Sequence, residues 1–207
     1  MKKVIAVAAA MLGLVVSMPS GADIIGFTGP FASGTWTSSF TGTLLAPGGS
    51  LGATVQSPTL ISVTGGNGNS PPPGGDTPDC SGATYAILGP CEADIFHSTV
   101  GLGFNTFTFH WAYTTADTAG PAGDIFGVLI NGARTVLSDL GGPISQSGNF
   151  TAHAGSSIGW FVNCTDCIGG SATATITNFA ALVPEPATIA LLGLGLTVLG
   201  IRRRRVS

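Results

Sequence analysis

Between Thr106 and Thr114, large aromatic residues fall at every second position: Phe107, Phe109, Trp111 and Tyr113, separated by Thr108, His110 and Ala112. A helix would scatter these rings around its circumference, whereas a strand collects all four on one face. Such a face needs a second layer over it, because one sheet alone would leave the rings in water. Composition agrees. With 32 glycines and only 8% charged residues, the chain is poor in helix-favouring charged side chains and suited to short strands joined by tight turns. The predicted class is all-β.

Ile125–Ile130 runs into Asn131-Gly132 and then Ala133–Leu137, and Asn-Gly supplies the two positive-φ positions of a type I′ hairpin turn. Further strands are predicted in Gly34–Phe40, Ala53–Gln56, Asn149–Ala154, Ile158–Asn163 and Ala172–Phe179. About eight such strands predict a single β-sandwich, of jelly-roll or immunoglobulin-like kind, over residues 23–182. From Gly65 to Asp79 every residue is Gly, Asn, Ser, Pro, Asp or Thr, which predicts an exposed loop that buries no apolar surface.

The charges are segregated. Lys2 and Lys3 open the chain and Arg202, Arg203, Arg204 and Arg205 close it, so Asp23–Pro186 holds one arginine, Arg134, against ten acids, a formal charge of −9. Nucleic-acid binding needs clustered Lys and Arg and is excluded as a partner class. At the N-terminus, Lys2-Lys3, the 13-residue apolar run Val4–Val16 and the small residues Ser20 and Ala22 read as a signal peptide over residues 1–22. Cleavage is expected between Ala22 and Asp23 after handling by the Sec machinery. The run is shorter than the roughly 20 residues of a spanning helix.

An exported chain is free to form disulfides, and Cys80, Cys91, Cys164 and Cys167 allow three pairings. The local one, Cys80–Cys91 with Cys164–Cys167, closes small loops and is the expectation. Cross-pairing between the two clusters stays open.

The C-terminus, residues 183–207, has three parts in fixed order. In Val183-Pro184-Glu185-Pro186-Ala187 two prolines hold the segment extended and out of any helix, so that it is presented as an accessible peptide. Residues 187–201 are uncharged and predict one short transmembrane helix of ~22 Å, against a hydrocarbon core of ~30 Å. Arg202–Arg205 then stay cytoplasmic and leave the β domain outside.

This tripartite tail resembles the PEP-CTERM sorting signal of Gram-negative bacteria. The resemblance implies a membrane exosortase, acting through a cysteine nucleophile, that recognises Val183–Pro186 and removes the helix and arginines. It also implies transient insertion in the inner membrane, then release to the cell surface or beyond. Trp111-Ala112-Tyr113-Thr114 and Gly123-Asp124-Ile125-Phe126-Gly127 are similar to segments of the ectodomains such tails carry, many of them associated with exopolysaccharide or biofilm matrix.

Signs of chemistry are few. Gly155-Ser156-Ser157-Ile158-Gly159 fits the G-x-S-x-G string, but a nucleophilic Ser157 needs a strand-to-helix elbow, and here a turn between two strands is predicted. The Cys164-Thr165-Asp166-Cys167 spacing lacks the following helix that would activate a redox pair. His97, His110 and His153 lack zinc-ligand spacing. Asp117, Asp124 and Asp166 fall at Gly-rich loops bordering strands and are the candidates for a Ca²⁺ site, with no other cofactor expected. The glutamates are Glu92 and Glu185, the latter within the sorting motif. Trp111 is expected in the core, and Trp36, in its Thr/Ser setting, is expected as an exposed platform for sugars. These readings converge on a non-enzymatic, exosortase-processed surface or matrix protein, with a carbohydrate- or calcium-binding adhesion module as the alternative.

Overall fold

The aromatic alternation produces a ten-residue strand, Thr106–Thr115, in which Phe107, Phe109, Trp111 and Tyr113 are all buried. The computed structural model describes residues 23–41, 43–44, 50–67, 78–79, 92–117, 120–164 and 170–182. All of them lie in the unit Asp23–Pro184. The signal peptide, the tail, Cys80, Cys91, Cys167 and Asp166 fall outside the described residues. Among the described residues no helix is long and apolar enough to cross a membrane.

The described residues hold thirteen strands, numbered in chain order: β1 Ile24–Ile25, β2 Thr37–Phe40, β3 Thr43–Leu44, β4 Ala53–Gln56, β5 Leu60–Thr64, β6 Pro78–Asp79, β7 Glu92–Ser98, β8 Thr106–Thr115, β9 Asp124–Ile130, β10 Ala133–Val136, β11 Ser145–His153, β12 Ser157–Cys164 and β13 Ala172–Leu182. One antiparallel sheet runs β11-β8-β13-β5-β4, with β1 also paired to β13. The second runs β10-β9-β12-β7-β2, and β3 pairs with β6 alone. The two larger sheets pack face to face as a β-sandwich. Phe109 of the first meets Trp160 of the second edge-on at 5.2 Å between ring centroids.

The core between them is an aromatic cluster. Trp160 stacks on Trp36 at 5.1 Å and Phe27 on Phe179 at 4.9 Å. Trp36 thus departs from its expected role: it is 4% exposed and its indole N–H donates to the Phe31 carbonyl at 3.0 Å. The short 3-10 turn Gly29–Phe31 folds back to supply that acceptor. The indole N–H of Trp36 is thereby satisfied, and it is Thr35 and Thr37 beside it that are exposed.

Asn131 and Gly132 have φ of 54° and 80°, the two left-handed positions of the expected hairpin turn between β9 and β10. In β13, Ala172, Ala174 and Ile176 face inward, and continued alternation would send Asn178 into the core. A register shift between Thr177 and Ala180, with Asn178 at φ 51°, turns Phe179 inward instead. The expected exposed loop 65–79 is structured at both ends. Gly65 and Gly66 are buried, Asn67 bridges Ser50, and Pro78–Asp79 forms β6.

Candidate functional site

The outer face of the five-stranded sheet is where the fold concentrates polar chemistry. Register sets its side chains in rows: Ser39, Asp94, Phe161, Gly127 and Val136 in one, Thr37, Phe96, Gly159, Leu129 and Arg134 in the next. In the first row the Phe161 ring lies over Gly127, where a Cβ would come within 2.6 Å of it. The Arg134 guanidinium sits 5.0 Å from the centre of that ring and forms an ion pair with Glu92. Glu92 is fully buried while the Arg134 side chain is 29% exposed. The sole base of the domain therefore secures a buried acid. Asp94 is also fully buried, and burial pushes its pKa up to about 6, although Arg134 and the Ser39 hydroxyl pull it down.

The second row carries a groove of about 570 Å³. Phe96 and Leu129 flank Gly159 in the register and form its apolar walls. Thr37 and Ser39 line it on the β2 side, and Ser98, Ser156 and Ser157 at the opposite end. Gly159 is required there, since a Cβ would lie 2.7 Å from that of Phe96. The serine end is held rigidly: Asn131 Oδ1 accepts from the N–H groups of Gly155 and Ser156 at 2.8 Å and from the Ser156 hydroxyl at 3.1 Å. Ser157 opens β12, so the G-x-S-x-G string is a turn leading into a strand and lacks the helix of a nucleophile elbow. Phe96, 37% exposed, stands where Trp36 had been expected to serve. Neither charge nor periodicity singles it out in the sequence.

At another end of the sandwich the structure brings two of the three aspartates together. The Thr115 hydroxyl donates to Asp124 Oδ2 at 2.6 Å and accepts from the Asp117 N–H at 3.0 Å. The Tyr113 hydroxyl donates to the Asp124 carbonyl at 2.5 Å, and burial, then the Asp124 charge, push its pKa up to about 12. Asp124 pairs in register with Cys164, two residues before Asp166. Cys164 is buried and disulfide-bonded. The histidines stay apart: His97 packs against Phe31 and Trp36, His153 meets Thr106 and His110 meets Thr177. Among the described residues, no group of three or more His, Cys, Asp or Glu is placed to hold a metal ion.

β13 ends at Leu182, and residues 182–205 match the model of the PEP-CTERM protein-sorting motif. This chain carries a PEP-CTERM sorting motif. The PEP-CTERM segment therefore follows the last core strand with no spacer. On that same end, β1 pairs Ile24 with Ala181 and Ile25 with Ala180. No curated protein matches the chain.

Solved structures similar to this PEP-CTERM protein include the K1 cleaved adhesin domain of Lys-gingipain from Porphyromonas gingivalis, at 10% identity and a TM-score of 0.37, covering 80% of this chain and 100% of that one. The family 11 carbohydrate-binding module of a cellulosomal cellulase from Clostridium thermocellum shows 12% identity and a TM-score of 0.34, covering 80% and 97%. The N-terminal cellulose-binding domain of a Cellulomonas fimi β-1,4-glucanase shows 15% identity and a TM-score of 0.28, covering 81% and 99%.

Proposed function

We propose that this chain is a non-enzymatic surface or extracellular-matrix protein delivered by exosortase. The Sec machinery exports it, the signal peptide leaves between Ala22 and Asp23, and a helix over residues 187–201 holds it transiently in the inner membrane. Arg202–Arg205 remain cytoplasmic, and exosortase cuts at Val183–Pro186. The observation that carries this reading is the sorting motif beginning at Leu182, the last residue of β13. The motif thereby begins at the residue where the last described strand of the sheet ends.

Non-enzymatic character is supported by the commitment of Glu92 to Arg134 and of Ser157 to a turn entering a strand. The pairing Cys80–Cys91 with Cys164–Cys167 belongs to the same reading. So does a jelly-roll topology, supported by the orders β11-β8-β13-β5 and β10-β9-β12-β7, in which β7, β8, β9, β11, β12 and β13 pass alternately between sheets.

Intact mass of the protein recovered from the producer's surface tests delivery. A chain beginning at Asp23 and lacking Arg202–Ser207 is expected, and one that retains those residues overturns the reading. Of the adhesion alternatives, the carbohydrate side, exopolysaccharide included, is favoured by the groove beside Phe96. On the calcium side, Asp117 and Asp124 already share the Thr115 hydroxyl.

A further inference from the structure

The groove beside Phe96 combines features that only some ligands can answer. Its walls are a phenyl ring and a leucine, its fringe is five hydroxyl side chains, and no described lining residue is charged. A ligand that fits must offer an apolar face of ring size and hydroxyl groups around its edge. A pyranose does both: its axial C–H groups make an apolar face that stacks on an aromatic ring, and its equatorial hydroxyls radiate in the plane.

Charge narrows the class. A domain carrying −9 between Asp23 and Pro186 repels polyanions, and the groove supplies no described cation to recover that cost. Size and rigidity agree with a small-ligand site. The volume of about 570 Å³ falls within the range of roughly 300–1,000 Å³ usual for such sites. Phe96 and Leu129 stand on strands either side of β12, about 10 Å apart by two strand spacings, with Gly159 between them in the register. The side-chain Oδ1 of Asn131 fixes the Ser156 end before any ligand arrives.

We propose that this groove is a binding site for neutral polysaccharide, with a sugar ring stacked on Phe96 and its hydroxyls bonded to the serine and threonine fringe. The proposal rests on the reading of the chain as a surface protein and gives its carbohydrate alternative a location and a ligand class.

The test is native affinity electrophoresis of the full chain as released by its producer. Gels contain hydroxyethylcellulose, galactomannan, dextran or the neutral fraction of the producer's own exopolysaccharide, with alginate as the polyanionic control. Retardation by at least one neutral polymer and none by alginate is expected. Phe96→Ala should weaken it about tenfold, and Phe96→Trp should retain it. Ser98→Arg, at an exposed position on the groove's edge, should abolish it by filling the groove, and this variant decides the matter if Phe96→Ala lowers the melting temperature. No retardation by any neutral polymer, equal retardation by alginate, or binding that survives Ser98→Arg would overturn the proposal. Surface location and C-terminal mass of the same variants report on delivery separately. They should match wild type whichever way the gels fall.

Discussion

The two faces of the five-stranded sheet are both buried over much of their area, by opposite means. Inward, Ile158, Trp160 and Val162 alternate along β12 into the shared core, where Trp160 meets Phe109 of the other sheet, so burial is driven by apolar surface leaving water. Outward, Glu92 and Asp94 of β7 are just as buried, and the Arg134 guanidinium compensates them across the Phe161 ring. An apolar core gains with every group added to it, whereas a buried charge is tolerated only while its partner stays. The domain's single arginine is spent on this face, which leaves the remaining surface acidic.

The inner face should break hardest and without remedy. Trp160→Ala is expected to cost about 4 kcal/mol in urea denaturation, because the ring touches Phe27, Trp36, Phe109 and Phe179 and the void cannot refill. On the outer face Arg134→Ala should cost about 3 kcal/mol, the low end for a broken buried pair given the exposure of the arginine. Here a remedy exists: adding Glu92→Gln should return most of the loss. A double variant no more stable than Arg134→Ala would show that the pair's charge is not what holds this face.

A third effect, no larger than the second, sharpens the contrast through pH. Asp94 is raised by folding from 3.8 to about 6, so the folded state holds a proton the unfolded chain has released between those values. Its contribution to stability is fully present below pH ~4 and is lost as pH rises through ~6. Asp94→Asn should flatten the stability profile across pH 4–6 and gain up to about 3 kcal/mol above it. A profile unchanged by the substitution would assign the window to another group.

Legibility in the sequence followed the range of the signal. Asn131-Gly132 and the Phe107–Tyr113 alternation act within one turn or strand, and both appear in the structure as read. β7 is not legible because Glu92, Asp94 and Ser98 occupy one side of a strand whose Glu92 is paired with Arg134, 42 positions away. Trp36 was misplaced for the same reason. Its neighbours are polar, but its depth is set by Trp160 and Phe179, far along the chain. The Asn178 bulge breaks an alternation that Ala172, Ala174 and Ile176 had established, and no residue before it announces the change. Phe96 gained its place in a groove only through register with Gly159 and Leu129.

From the sequence alone came the all-β class, the hairpin, the acidic domain and the sorting tail, since periodicity, turn chemistry, charge and a contiguous motif are each carried by neighbouring residues. Tertiary structure alone decided which acids are buried, that Trp36 is hidden and where an open groove lies. Those depend on strand register, and register is an agreement between segments that share no local signal.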